Sequence, residues 1–204
     1  MTGLSVATGT ADAEHGHVVG TLLSGGLAKP MYEAYRKRAR ELGWEAGPDR
    51  MAFAAIIGVG DTRQEGLRRA NIIADYVRTA PVVAEPFTNP PGYNSVGANV
   101  AMLRAGPRAH RMVTDRNGVA IDHRTATIEQ FMDTETVFAG TPDDVFNQLK
   151  AFNQRMGGVG HLLFFAQGGQ LTHQDAKANI ALFGKEVAPR LLDLRMPKHA
   201  AAAE

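Results

Sequence analysis

Cysteine is absent from all 204 residues, which excludes a disulfide framework, a thiolate nucleophile and any cysteine-ligated metal. A reducing compartment is thereby permitted, and the cytoplasm is the expected location. An excess of either charge is also lacking: 22 Lys and Arg stand against 21 Asp and Glu, a net +1. That balance gives no reason to expect a nucleic-acid or anionic-membrane partner. Long apolar runs are missing too. Nothing approaches the roughly 20 apolar residues of a membrane span, and Met1-Thr2-Gly3-Leu4-Ser5 opens no basic and then apolar leader. Several catalytic signatures are equally absent. Gly58-Val59-Gly60 and Gly157-Gly158-Val159-Gly160 are too short and wrongly placed for a dinucleotide fingerprint, and there is neither a Gly-x-Ser-x-Gly elbow nor a P-loop.

What is present is enough apolar material, 44% of residues, for one sizeable core. The 22 glycines and 10 prolines exceed average usage and cluster between periodic segments, marking a loop-rich globular chain. Leu27, Met31, Tyr35, Ala39 and Leu42 recur at spacings of four and three, which predicts an amphipathic helix stopped by Gly43. Met51 to Gly58 is continuously apolar and of strand length, as expected for a parallel strand covered on both faces. Asp61 or Thr62 suits the cap of the next helix, with Glu65 completing a capping-box pattern and Leu67, Ala70, Ala74 and Val77 lining one face. Between Thr79 and about Gly140 the periodicity fades among prolines and glycines, with a helical turn or two expected around Val96 to Arg104. So long a connection is read as an insertion with its own job.

Regular structure resumes at Gly140-Thr141-Pro142-Asp143-Asp144. Thr141 suits the N-cap, Pro142 the first helical position, and the aspartates favour the positive end of the helix dipole. Val145, Leu149, Phe152 and Met156 form that helix's apolar stripe, and His161 to Ala166 is a second buried-strand candidate. A last helix begins at Thr172 with the stripe Ala176, Ile180, Phe183, Val187 and Leu191. Lys198 to Glu204 reads as a frayed tail. With His17 to Leu23 as a third strand, strand-then-helix units predict an α/β architecture with a parallel sheet.

Several short motifs then resemble the C-terminal portion of the bacterial luciferase-like, flavin-dependent monooxygenases. Ser5-Val6-Ala7-Thr8, followed by Ala13-Glu14-His15-Gly16-His17, is similar to that family's Ser-x-x-Thr loop and the helix after it, although Leu4 stands where members often carry a carboxylate. Ala139 to Val145 resembles the family's Gly-Thr-Pro helix start, Gly158 to Leu163 its final strand, and Leu182 to Leu191 its last helix. The resemblance implies a partial (β/α)8 TIM barrel. Residues 1–194 would supply roughly the last three β/α units with an insertion over about 79–140 after the penultimate strand, and 195–204 a flexible tail. The first half of the barrel is expected to be missing, or a dimer to cover the open sheet edges.

What the resemblance implies chemically is an oxidoreductase in which reduced flavin, FMN or a deazaflavin, activates dioxygen toward a small organic substrate, with a flavin reductase as a further partner. The alternative is a shortened, non-catalytic flavin-binding or partner subunit. Ser5 and Thr8 occupy the phosphate-binding hydroxyl positions, where two hydroxyls and free helix amides make an anion site. The plainer reading is that one of them merely caps the helix. Gly20 and Thr21 fall beside the flavin ring, or Gly20 is simply a glycine tolerated at a strand end. Tyr93, in the aromatic and proline-rich stretch Phe87 to Asn94, is the candidate substrate contact, with Arg104, Arg108, His110 and Arg111 nearby in sequence. These also suit a packing residue and a solvated face. His15 and His17 form a His-x-His pair with no carboxylate cluster to make a metal site, and no catalytic residue is nominated.

Overall fold

The computed structural model describes residues 6–22, 25–79 and 112–194, with positions 96, 97, 100 and 104 between them. The helical turns expected around Val96 to Arg104 lie mostly outside these residues. In chain order the elements begin with α1 (Val6–Glu14), β1 (Val19–Leu22), α2 (Gly25–Glu41), β2 (Met51–Val59) and α3 (Arg63–Thr79). Then come β3 (Met112–Thr114), β4 (Ala120–Asp122), α4 (Ile128–Asp133), β5 (Val137–Gly140) and α5 (Pro142–Arg155). The last are β6 (His161–Phe165), α6 (His173–Leu182), a π-helical turn over Phe183–Val187, and α7 (Ala188–Leu192).

β2 is the axis of a parallel sheet, and its continuous apolar sequence follows from having neighbours on both edges and helices on both faces. β1 pairs with Met51 to Ala54 and β6 with Ala52 to Ile56, so these two take opposite edges. β5 pairs with Ile56 to Val59. The Ile56 amide donates to the Thr136 carbonyl just before β5, whereas the Met51 carbonyl accepts from Gly160 just before β6. Residues of opposite parity point to opposite edges of a strand, so β5 continues the edge that β1 begins. A separate antiparallel hairpin, β3 with β4, occupies part of the segment over which the sequence periodicity fades, and α4 and β5 follow it.

On one face of the sheet Phe53, Ala55, Ile57 and Val59 pack with Met31, Tyr32 and Tyr35 of α2 and Val145, Leu149 and Phe152 of α5. The Phe53 and Phe152 ring centres lie 4.4 Å apart. On the other face Ile56, Val137 and Ala139 meet Ala70, Ile73 and Ala74 of α3. The α5 stripe is buried as its spacing predicts. Two expectations are corrected. In α6 it is Asn179 that is fully buried, while Ile180 is 50% exposed. In β6, read as a buried strand, Leu162 and Phe164 pack on the first cluster but Leu163 and Phe165 remain 53% and 38% exposed. Among the described residues no strand pairs with the far edge of β6.

Both α5 and α6 start on a threonine cap backed by an aspartate. Thr141 accepts from the Asp144 amide while Asp144 accepts from the Thr141 amide, a closed capping box. Thr172 accepts from the Asp175 amide. The Thr141 backbone amide holds the Asp144 carboxyl below the usual carboxylate range, and the Arg68 guanidinium does the same for Asp175. A carboxyl whose folded value is depressed contributes stability above its ordinary value near 4 and loses it as pH falls through the lower folded value. Thermal melts between about pH 6 and about pH 3 are therefore expected to show a steeper acid loss in the parent than in an Asp144→Asn, Asp175→Asn double variant.

Candidate functional site

In an open or closed parallel sheet the ligand-binding end is the carboxyl end of the strands. Two strand ends here are closed by side chains of the chain itself. At the end of β2, Asn179 Oδ1 accepts from the Val59 amide at 2.7 Å and its Nδ2 donates to the Ile57 carbonyl at 2.9 Å, so one side-chain amide continues the ladder where β6 has ended. The Val59 carbonyl accepts from Arg69 Nη1 at 2.6 Å. Arg69 is buried and also pairs with Glu65 and Asp175, the latter held in turn by Arg68. At the end of β5, the Thr141 and Asp144 box and the Gly60 to Gly140 hydrogen bond of 3.0 Å use up the free groups. These networks hold the strand ends together.

β1 has α1 beside it. α1 leads into β1 through the short turn His15 to Val18, so it runs back along the sheet and its first turn lies toward the carboxyl end of β1. Nine helical residues and four strand residues both span about 13 Å, which brings the two ends level. Thr8 sits in that first turn, half-buried, and the turn carries no acidic side chain to repel an anion. Gly9 lets α1 approach α2 closely: a Cβ there would stand 2.5 Å from the Met31 carbonyl oxygen. Ser5 lies outside the described residues, as does Tyr93 with the whole stretch 80–95. Arg104 is exposed.

Gly20 and Thr21 are both buried, on opposite faces of β1. Thr21 shares the helix-covered face with Val19: its hydroxyl lies 3.4 Å from that of Tyr32, which donates to the Ala52 carbonyl at 2.5 Å. Burial pushes the Tyr32 phenol up to about 12, with the Thr21 hydrogen bond opposing it. The Thr21 side chain is thus engaged by α2, and only its backbone is available to a ligand at the strand end. Gly20, in register with Ala52, faces the other way. His15 and His17 sit at the opposite end of β1, and among the described residues no three His, Asp or Glu side chains form a metal-holding group. No described helix is long and apolar enough to cross a membrane.

The fold so built is α/β, a parallel sheet layered with helices, and it is similar to part of the luciferase-like barrel enzymes. The monooxygenase RslO1 from Streptomyces bottropensis matches over 93% of this chain and 46% of its own, with a TM-score of 0.62 and 14% identity. The oxygenating constituent of 3,6-diketocamphane monooxygenase from Pseudomonas putida, a type II Baeyer-Villiger monooxygenase solved with FMN, matches over 93% and 47%, with a TM-score of 0.57 and 20% identity. A coenzyme F420 dependent tetrahydromethanopterin reductase from Methanopyrus kandleri matches over 93% and 50%, with a TM-score of 0.53 and 16% identity. The chain therefore spans about half the length of these enzymes, and at such identities the likeness is one of fold. No family model and no curated protein sequence matches.

Proposed function

We propose that this chain is the C-terminal part of a luciferase-like (β/α)8 barrel that binds FMN or a deazaflavin and serves oxidation of a small organic substrate. Residues 1–194 form that part, with the insertion at about 79–140 lying between α3 and α5, and 195–204 a tail. The observation that carries the reading is the first turn of α1. It is a helix start without acidic side chains, toward the carboxyl end of β1, in a fold shared with an FMN-bound monooxygenase. Ser5 and Thr8 hold the cofactor phosphate with the α1 amides, and the Gly20 and Thr21 backbone borders the ring. Tyr93 contacts substrate. The bound flavin supplies the electron chemistry by which dioxygen oxidises the substrate; the protein supplies position and exclusion of water.

Titration with FMN and with riboflavin tests this. A hydrogen bond to a charged phosphate is worth about 1.5–3 kcal/mol, so Ser5→Ala and Thr8→Ala should each weaken FMN binding by roughly tenfold or more. Riboflavin, lacking the phosphate, should bind all three proteins alike. Unchanged FMN affinity in both variants would contradict the phosphate assignment. A second reading, a non-catalytic subunit that pairs with another chain, is favoured by the exposed Leu163 and Phe165 beside the β6 edge that no strand among the described residues pairs. Its signature is a defined oligomer in solution.

A further inference from the structure

α4 ends in a turn that glycine usually makes. The Glu135 amide donates to the Met132 carbonyl at 3.0 Å and the Thr136 amide to the Phe131 carbonyl at 3.1 Å, the paired hydrogen bonds of a helix end whose next residue turns left-handed. That residue is Glu135, with φ at 56°, and among the described residues no other non-glycine has a positive φ. A side chain is crowded in this conformation, which is why glycine and, less often, asparagine fill such positions. Here the chain has glutamate.

The side chain explains the choice. Glu135 is only 8% exposed, and its carboxylate meets both edges of the Arg155 guanidinium at the end of α5: Nε donates to Oε1 at 3.0 Å and Nη2 pairs with Oε2. Such two-point pairing fixes direction as well as distance. Gly25, the first residue of α2, makes room for it, since a Cβ there would run into Oε2. Arg116 of the hairpin does not compete, being engaged by Asp133 at 2.7 Å. A buried ion pair is weak evidence for stability, because apolar residues of similar volume commonly do as well. Joined to a strained backbone, this pair specifies one arrangement against its neighbours.

The element in need of specifying is β5. All four of its residues are buried, so no contrast of apolar and polar faces sets its register on β2. Yet only one register places Phe138 beside Phe152, with ring centres 5.5 Å apart, and Val137 and Ala139 toward α3 on the other face. A slip of one residue would exchange the two faces. Thr136, immediately after Glu135, makes the rung that precedes the strand, its carbonyl accepting from the Ile56 amide at 3.1 Å.

We propose that Glu135 and Arg155 form a clamp that sets the register of β5 on β2, and that the strained turn is kept for its sake. The clamp belongs to the fold and operates whether or not the chain holds a flavin.

Hydrogen exchange of the full chain tests it in Glu135→Gly, Arg155→Gln and the double variant. Glu135→Gly gives the turn its usual residue, so a turn that served only as a helix end would exchange more slowly across α4 and β5. The clamp predicts the opposite: the amides of Thr136 to Gly140 exchange roughly tenfold faster or more, while those of Val19 to Leu22 and Met51 to Ala54 keep the parent rates. Arg155→Gln should show the same pattern more strongly, because it strands a buried carboxylate, whereas in Glu135→Gly the 28% exposed guanidinium turns to water. The double variant should match Glu135→Gly. Since Glu135→Gly strands no charge, its result decides even where Arg155→Gln folds poorly. Unchanged or slower exchange of β5 in Glu135→Gly, or acceleration spread evenly over β1 and β2, would overturn the clamp.

Discussion

Replacing Asn179 by leucine should lower the melting temperature by roughly 5–15 °C, although it puts an apolar residue of similar size on a buried position of a helix. The reason lies in β2, not in α6. β6 pairs with β2 only as far as Ile56, and the next groups on that edge, the Ile57 carbonyl and the Val59 amide, are buried. The Asn179 side chain supplies one donor and one acceptor in the spacing that a further strand residue would have provided. Leucine leaves both backbone groups unsatisfied, at about 1–3 kcal/mol each, and its own burial cannot offset two such losses. Ile180→Gln is the matched control. Its side chain is 50% exposed, so a change within about 0.5 kcal/mol is expected. Apolar periodicity alone predicts the reverse order, which makes the pair of melts decisive.

Gly66→Ala should also destabilise, by about 1–3 kcal/mol, where helix propensity alone would predict a gain of about 1 kcal/mol at a helical glycine. The Cβ would meet the backbone of Gly140, well inside van der Waals contact with its carbonyl oxygen. Gly58 closes the same junction from the other side, since a Cβ there would run into the Gly66 carbonyl oxygen. Backbone meets backbone at this crossing of α3 over β2 and β5, so no flexible side chain can yield. Moving α3 outward would disturb the Gly60 to Gly140 hydrogen bond and the Arg69 network beside it. A melt showing neutral or raised stability would mean that α3 does not approach the sheet as closely as described.

How much of this was legible in the sequence depended on whether local signals or long-range partners decided each element. β2 and α5 were readable because everything they need is written nearby: nine apolar residues in a row for one, and a Thr-Pro-Asp-Asp start with a clean apolar stripe for the other. β5 was missed because four residues gain strand character only from pairing with Ile56 to Val59, more than 75 positions earlier. The hairpin of β3 and β4, three residues each, has the same difficulty. α4 is announced by Thr127 and Gln130, a capping box that could have been found, but its six residues carry too short a stripe to stand out.

The polar residues of the site region were the hardest to read. Asn179 and Arg69 occupy buried helix positions where periodicity asks for apolar ones, and only the backbone groups at the end of β2 explain them. In the opposite direction, Thr21 was marked for its place at a strand end, and its hydroxyl is engaged by Tyr32 on the helix side. Parity along β1 could have shown this, because Val19 and Thr21 share a face.

The ratio of FMN to riboflavin affinity measures most directly the proposed anion-binding first turn of α1. Calorimetric titration of the unmodified chain should give FMN an advantage of roughly tenfold or more, shrinking as salt is added. Equal affinities for the two, or binding of neither, would contradict it.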